Sequence, residues 1–144
     1  MKDIVTDVDQ LHIPTRKVPE GYDIKELVSD LLLVLKQEIT VGISANQLGC
    51  GLSVIAFKLL TGRPLIFVNP VITKAKGSVR GPEGCLSIPE TVDKPLKIVR
   101  PKMITVTGFN QYYKYQRLKF RGLEARVACH EVDHLKGILI TDLV

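Results

Sequence analysis

Apolar residues recur with the 3.6-residue period of an α-helix in two parts of the chain. The first part predicts a helix over about residues 24–38, opened by a capping box between Asp23 and Glu26. Its apolar stripe is expected to face the core. The second part predicts a helix over residues 123–136, and Gly137 suits the position just past its C-terminus.

Short runs of β-branched and aromatic residues predict the strands. Residues 54–57 and 65–68 form one predicted pair, with a turn at residues 62–64 between them. Residues 103–106 and 113–120 predict a hairpin. Because these strands mostly precede the last helix instead of alternating with helices, the pattern predicts an α+β fold.

Glycine and proline mark the predicted irregular segments. Residues 1–22 are expected to be an irregular lead-in, residues 40–52 a loop, and residues 77–95 a long loop or a loosely extended segment. Asn69 and Pro70 should break the second strand.

Length and composition indicate an ordinary globular chain. Its 144 residues suit one domain, and 45% of them are hydrophobic. No apolar run approaches the roughly 20 residues that a membrane-spanning helix needs. Acidic residues near the N-terminus replace the apolar stretch of a secretion signal, so we expect a cytoplasmic protein. The odd number of cysteines, three, argues against a disulfide framework.

The net charge is mildly positive, at +5, and basic residues do not cluster. We interpret this charge as a solvated surface, with weak attraction to an anionic partner such as RNA as the alternative. We expect a monomer that binds neither a membrane nor a specific nucleic acid.

The strongest chemical pattern is an HExxH segment on the second predicted helix. Four residues advance a helix by about 400°, so His130 and His134 share one face and could bind the same transition metal. Glu131 lies beside them, where it could exchange a proton with water at the metal. In the alternative interpretation, the segment is ordinary helix sequence without a metal.

A catalytic metal usually takes three protein ligands, and the third is not in this segment. The long zinc-protease motif would place a histidine where this chain has Ile140. Asp142 is the only acid among the ten residues after His134, and His12 lies in the predicted lead-in. A ligand from the middle of the chain remains.

Cys85 is the natural candidate for that ligand. It follows Gly84, which lets the backbone approach a metal or ligand closely. A thiolate with two imidazoles suits Fe²⁺, Zn²⁺, Co²⁺ or Ni²⁺. The alternative is that Cys85 is a small buried apolar residue, as we expect Cys50 and Cys129 to be.

Three segments together resemble the sequence motifs of the peptide deformylases. They are Gly42–Gln47, Glu83–Ser87 and His130–His134, which match that family's G-φ-x-A-x-Q, EGCLS and HExDH motifs in order. The resemblance implies a compact α+β domain over residues 1–144, with antiparallel sheets around the metal-binding helix. It implies hydrolysis of the formyl group from N-formylmethionine at the start of nascent peptides, with release of formate.

The resemblance also implies a metal centre. It makes Cys85, His130 and His134 the ligands of one divalent ion, natively Fe²⁺, with Zn²⁺, Ni²⁺ or Co²⁺ as substitutes. It makes Glu131 first a general base and then a general acid. Glu83 is expected to be structural, not a ligand.

Two oxyanion donors follow from the same resemblance, the side-chain amide of Gln47 and the backbone N–H of Leu86. Gly42 matches the position whose backbone pairs with an extended substrate. Arg100 matches an arginine near the substrate backbone, with an exposed strand-edge charge as the alternative. The residues that resemble substrate-binding positions are Val41, Gly42, Arg100, Leu123, Arg126 and Val127.

Arg126 departs from the family, which usually has an apolar residue beside the pocket for the methionine side chain. Val41, Leu123 and Val127 would keep that pocket apolar. We hypothesise that the Arg126 stem lines the pocket and its guanidinium reaches the rim. There it would favour an acidic or polar residue after the formylmethionine. In the alternative interpretation, the head group lies entirely in solvent.

Smaller departures and structural residues complete these expectations. Ser44 stands where the family usually has alanine. Asp133 is expected to pair with a nearby base and hold the helix, with a surface charge as the alternative.

Bacterial members commonly continue into a C-terminal segment that in some binds the ribosome. This chain ends at Val144, so we do not expect ribosome docking by that route.

Three other functions were weighed against the hydrolase. A zinc endopeptidase is disfavoured by Ile140 and by the EGCLS segment. A catalytically silent binding protein is disfavoured because both Glu131 and Gln47 are present. A nucleic-acid-binding module is the weakest alternative, since no RNA-binding motif accompanies the modest charge.

Overall fold

A five-stranded antiparallel sheet forms the centre of the computed structural model, which describes residues 2–144. The strands are β1 (Gly42–Ser44), β2 (Val54–Lys58), β3 (Pro64–Lys76), β4 (Val79–Glu83), β5 (Leu96–Arg100), β6 (Met103–Phe109) and β7 (Tyr115–Arg121). The central sheet has the order β1-β2-β3-β6-β7, and β4 and β5 form a separate two-stranded sheet.

Helices cover the central sheet and connect its strands. They are α1 (Val8–Leu11), α2 (Lys25–Leu35), α3 (Glu90–Asp93) and α4 (Gly122–Leu135), with short 3₁₀ turns at Ala45–Leu48 and Ile140–Leu143. Within residues 2–144, no helix combines the length and the apolar character needed to cross a bilayer.

The alternation of side chains along β2 explains how two helices pack on opposite faces of the sheet. Val54 and Ala56 contribute to a core cluster with α2, whereas Ile55 and Phe57 contribute to a cluster with α4. Successive side chains of a strand point to opposite faces, so α2 and α4 enclose the sheet between them. The predicted α+β architecture, with antiparallel sheets around the HExxH helix, is confirmed.

A third core cluster lies under the β4–β5 hairpin. It joins Cys85 and Ile88, which follow β4, to Ile98 of β5 and to Leu139 and Ile140 after α4. The hairpin therefore packs beside the end of α4 and not on the central sheet. This arrangement brings the segment after β4 next to the two histidines of α4.

Both long predicted helices are present, but the first differs at its ends. It ends at Leu35, earlier than the predicted residue 38, and the predicted capping box is wrong. The Asp23 carboxylate accepts from the Lys25 backbone N–H at 3.1 Å, while Ile24 occupies the N-cap position. After α4, Gly137 has φ +76°, as the prediction of a terminating glycine requires.

The β3 strand continues through the predicted break at Asn69 and Pro70. Asn69 adopts φ +53°, and the pairing with β6 shifts register between Val68 and Val71. A β-bulge therefore absorbs the two residues, and the strand extends to Lys76.

The two predicted loops both contain strands. The segment 40–52 holds β1, and the segment 77–95 holds β4, which pairs with β5. The sequence of β4 includes Gly81 and Pro82, which are poor strand formers, so only the pairing with a distant partner makes it a strand. The predicted irregular lead-in also contains the one-turn helix α1.

We expect Gly137→Ala to destabilise the protein more than Gly21→Ala, although the two glycines have nearly the same positive φ, +76° and +78°. A Cβ at position 137 would overlap the carbonyl oxygen of His12, whereas at position 21 it meets no atom within 4 Å. The strain of the left-handed backbone alone costs about 1–2 kcal/mol, and we expect about 3 kcal/mol or more at position 137. Urea denaturation measures both losses, and equal losses would contradict the contribution of the His12 contact.

Candidate active site

Cys85, His130 and His134 come together as the sequence predicts. One ligand atom from each residue lies within 4.8 Å of the others, and all three residues are buried. The two imidazoles project from the same face of α4, with ring centroids 4.8 Å apart. Cys85 enters from the segment after β4, and its Sγ lies 3.5 Å from Nε2 of His134.

The donor set fits a divalent transition metal. Nδ1 of His130 lies 2.9 Å from Oε1 of Glu83, which leaves Nε2 for the cluster. A carboxylate on the other ring nitrogen commonly orients a metal-binding histidine. One thiolate and two imidazoles, with a pocket beside them, could hold a metal ion as three protein ligands.

The electrostatics of the cluster favour a cation. Burial alone would lower the pKa of His130, but hydrogen bonds to Cys85 and Glu83 outweigh burial and raise that pKa to about 10. Burial, together with the charge of His130, lowers the pKa of His134 well below its ordinary value. The groups that raise the pKa of His130 also attract a cation, and a metal bound by this imidazole would replace its proton.

Glu83 orients His130 and is itself held by Arg100. Burial raises the pKa of its carboxyl, but hydrogen bonds from Arg100 and His130 outweigh burial and hold that pKa at about 2. The Arg100 guanidinium donates to both carboxylate oxygens, at 2.8 and 2.9 Å. The expectation that Glu83 is structural and not a ligand agrees with these contacts.

The structure corrects one of the two interpretations of Arg100. It is buried, so it is not an exposed strand-edge charge. Its guanidinium contacts Glu83 and Asp133 and does not line the pocket, and its place near the substrate backbone stays a prediction. The ion pair between Arg100 and Asp133 confirms the predicted pairing of Asp133 with a nearby base. It joins β5 to α4.

The position predicted for the Arg126 head group is also wrong. The side chain lines the pocket, as expected, but the guanidinium is buried and does not reach the rim. It donates to Glu83 Oε2 at 2.8 Å and to the carbonyl oxygens of Ile98 and Val79, each at 2.9 Å. Because these acceptors hold the guanidinium, we do not expect it to contact a charged residue of the substrate.

Gln47 lies on the 3₁₀ turn that follows β1, and its amide is oriented at both ends. Its Oε1 accepts from the backbone N–H and the hydroxyl of Ser44, at 3.0 and 3.1 Å. Its Nε2 therefore faces the cluster, donating to Ser87 Oγ at 3.0 Å and lying 3.7 Å from Cys85 Sγ. The hydroxyl of Ser44, where the family usually has alanine, thus adds one contact that fixes this amide.

Glu131 points into the pocket with one oxygen unsatisfied. Its Oε1 is buried and has no hydrogen-bond partner in the described part of the chain. Burial raises the pKa of this carboxyl to about 7, although the charge of His130 lowers it. A carboxyl with that pKa can accept and return a proton near neutral pH.

Gly42 leaves room for that carboxylate. A Cβ at this position would lie 2.6 Å from Oε2 of Glu131. Gly42 belongs to β1, the edge strand of the central sheet, so an extended peptide could add to this edge.

A pocket of about 300 Å³ opens beside these groups. Its apolar lining includes Val41, Leu123 and Val127, as predicted, with Leu86 directly after Cys85. Val41 and Leu123 are more than half exposed and form the rim. The sequence interpretation did not identify the other apolar lining residues, which are Ile39, Pro82, Val92 and Pro95.

Two hydroxyl residues with roles at the site were also missed. Thr91 Oγ1 accepts from the Cys85 backbone N–H at 2.9 Å and donates to the Ile88 carbonyl at 2.7 Å. Ser87 Oγ receives the Gln47 amide. Ser87 stands within the EGCLS segment, so that segment was the available signal, whereas nothing local marks Thr91. A Cβ added at Gly84 would lie 2.7 Å from the Thr91 carbonyl oxygen, so the backbone of Thr91 also requires glycine there.

The other two thiols behave as expected. Cys129 packs in the core between α4 and the sheet, and burial raises its pKa to about 11. Cys50 is partly buried against the α2 cluster. Neither belongs to the metal-ligating group.

Comparison with known proteins gives matches over the whole chain. The sequence profile of the polypeptide deformylase family matches residues 1–144. The peptide deformylase of Dictyoglomus turgidum is 39% identical over 133 residues, which cover 92% of this chain and 84% of that protein.

Solved structures give the same result for the fold. The crystal structure of a probable peptide deformylase from Synechococcus phage S-SSM7 has a TM-score of 0.88 and 33% identity, and 100% of each chain is covered. The peptide deformylase of Thermus thermophilus has a TM-score of 0.90 and 31% identity, covering 100% of this chain and 86% of that one.

We expect Cys85→Ala to lose metal and Cys50→Ala to retain it. Two imidazoles alone make an incomplete centre, so affinity for Zn²⁺ or Co²⁺ should fall by at least about 100-fold without the thiolate. Competition with a chromophoric chelator measures the affinity. A Cys85→Ala protein that binds metal like the parent would show that Cys85 is not a ligand.

Proposed function

Because the chain belongs to the polypeptide deformylase family, which removes the N-formyl group from nascent peptides, we propose that this hydrolysis takes place in the pocket beside Cys85, His130 and His134. The observation that carries this assignment is the convergence on one pocket of a possible metal-binding trio, an unsatisfied carboxylate and an oriented amide. They come from three parts of the chain, namely α4, the segment after β4 and the 3₁₀ turn after β1, so the tertiary fold brings them together.

The substrate would lie along the β1 edge, with its formyl group toward the cluster. The backbone of Gly42 is available for pairing with an extended peptide, which places the first side chain in the apolar part of the pocket. Val41, Leu123 and Val127 would contact the methionine side chain there. The buried Arg126 head group would not select a charge at the next residue.

The proposed metal would supply Lewis-acid chemistry. A divalent ion held by the thiolate and the two imidazoles would polarise the formyl carbonyl and lower the pKa of a neighbouring water molecule. We propose Fe²⁺ as the native ion, as membership of the deformylase family implies, and Zn²⁺, Ni²⁺ or Co²⁺ as substitutes, since this donor set suits all four.

Glu131 would move the proton. Its carboxylate accepts a proton from the attacking water, whose oxygen forms the new bond to the formyl carbon. The C–N bond then breaks, and Glu131 returns the proton to the leaving nitrogen. The products are formate and a free amino terminus, so no other reactant is needed.

The developing oxyanion would be stabilised by donors that are already in place. The Nε2 of Gln47 is directed at the cluster because Ser44 holds the other end of the amide. The backbone N–H of Leu86 is the second proposed donor. Donors fixed before the reaction need little reorganisation during it, which is the basis of oxyanion-hole catalysis.

We further propose that the chain acts as a single catalytic domain and as a monomer, in the bacterial cytoplasm. Formylated nascent peptides are made there, and the free cysteines fit a reducing compartment.

The direct test is formate release from a formyl-Met tripeptide, with metal restored under anaerobic conditions. The parent should release formate, and Glu131→Gln should lose about 10²–10⁴-fold in rate while keeping its metal, since only proton transfer is removed. The same peptide without the formyl group tests endopeptidase activity. Cleavage of its peptide bonds, or equal rates for parent and variant, would contradict the proposal.

A second prediction concerns the space around the Glu131 carboxylate. Gly42→Ala should lower formate release by about 100-fold, because its methyl group would displace that carboxylate. The matched control is Gly51→Ala, since a Cβ at Gly51 meets no atom within 4 Å and neither glycine has positive φ. Rates like the parent's in both variants would show that the carboxylate can be displaced without loss.

A further inference from the structure

Arg126 connects α4 to both strands of the β4–β5 hairpin. Its Nη1 donates to Glu83 Oε2 at 2.8 Å, to the Ile98 carbonyl at 2.9 Å and to the Gly81 carbonyl at 3.4 Å. Its Nη2 donates to the Val79 carbonyl at 2.9 Å. One side chain of the helix therefore engages three residues of β4 and one of β5.

The hairpin shares no strand with the central sheet, so side-chain contacts such as these hold it beside α4. The last residue of β4 is Glu83, which orients His130, and Cys85 follows two residues later. A shift of β4 relative to α4 would therefore move the thiolate and the Glu83 carboxylate away from the imidazoles. Arg100 pairs with Glu83 within the hairpin, and its ion pair with Asp133 joins β5 to α4, whereas Arg126 contacts β4, the strand that leads to Cys85.

Gly81 is matched to this guanidinium. A Cβ at position 81 would lie 3.0 Å from Nη2 and 3.1 Å from Cζ of Arg126. Gly81 does not have positive φ, so its backbone conformation does not require glycine. The space that its missing side chain leaves is filled by the arginine head group.

We propose that Arg126 is a positioning residue of the metal centre: it fixes the β4–β5 hairpin on α4, so that Cys85 and Glu83 keep their places relative to His130. This inference rests on the proposed metal site. The guanidinium acts through the hairpin and does not contact the substrate, although its stem forms part of the pocket wall.

The test measures metal dissociation, independently of catalysis. Parent, Arg126→Met and Arg126→Lys are loaded with Co²⁺, and transfer of the metal to excess chelator is followed by the Co²⁺–thiolate absorption. Arg126→Met should release metal about 10–100-fold faster, the range expected when a group supporting the ligands is lost. Arg126→Lys should be intermediate, because it keeps a charge beside Glu83 without reaching all the carbonyls.

The matched control is Arg117→Met, on the exposed edge strand β7. It removes the same charge from the molecule and should release metal like the parent. Formate release adds a second readout: Arg126→Met should lower kcat on formyl-Met peptides with acidic and basic second residues by the same factor. A loss confined to one of these peptides would indicate a specificity role and overturn the proposal.

Gly81→Ala tests the same contact from the other side. In the parent, its methyl group displaces the guanidinium and should speed metal release several-fold. In the Arg126→Met background, the same substitution should have a much smaller effect, because the group that it displaces is gone. Equal effects of Gly81→Ala in both backgrounds would overturn the proposal.

The outcomes separate this inference from the proposed function. A parent protein that binds no metal and releases no formate contradicts the proposed function. A parent that does both, with Arg126→Met and Arg126→Lys releasing metal at the parent rate, contradicts only the positioning role. If Arg126→Met does not fold, the Arg126→Lys and Gly81→Ala proteins decide the question by the same dissociation rates.

Discussion

The arrangement of the active site depends on the contacts that the buried carboxylate of Glu83 makes. Two arginines and one metal-site histidine converge on its two oxygens, Arg100 from its own hairpin and Arg126 and His130 from α4. An unpaired carboxylate in this position would cost several kcal/mol, so the fold requires these partners together. The same carboxylate fixes which nitrogen of His130 faces the metal cluster.

This constraint explains the unusual composition of α4. Arg126, His130 and Asp133 lie four and three residues apart, so they share one face and meet the hairpin. The neighbouring face carries Ala128 and Val132 into the core against the sheet. One side of the helix therefore makes ion pairs and the other makes apolar contacts, and Glu131, the proposed catalytic residue, lies between them.

Local sequence patterns correctly predicted the features that interactions between residues close in sequence determine. Both long helices follow from apolar periodicity, and the pairing of His130 with His134 follows from helical geometry. The strand β4 was not predicted because it contains Gly81 and Pro82, which are poor strand formers, and because its partner strand β5 is not adjacent in the sequence. The burial of Arg126 was missed for a related reason: its acceptors are backbone carbonyls on strands that only the tertiary fold brings to α4.

The two proposed catalytic side chains differ in how their polar atoms are satisfied. Gln47 has its carbonyl oxygen held by Ser44 and one amide hydrogen directed at Ser87, so its orientation exists before substrate arrives. Glu131 instead keeps one buried oxygen without a partner in the described chain, which costs about 1–3 kcal/mol. A base must exchange its proton partner during the reaction, whereas an oxyanion donor must not move. The site therefore fixes the orientation of the proposed donor and leaves one oxygen of the proposed base without a partner among the described residues.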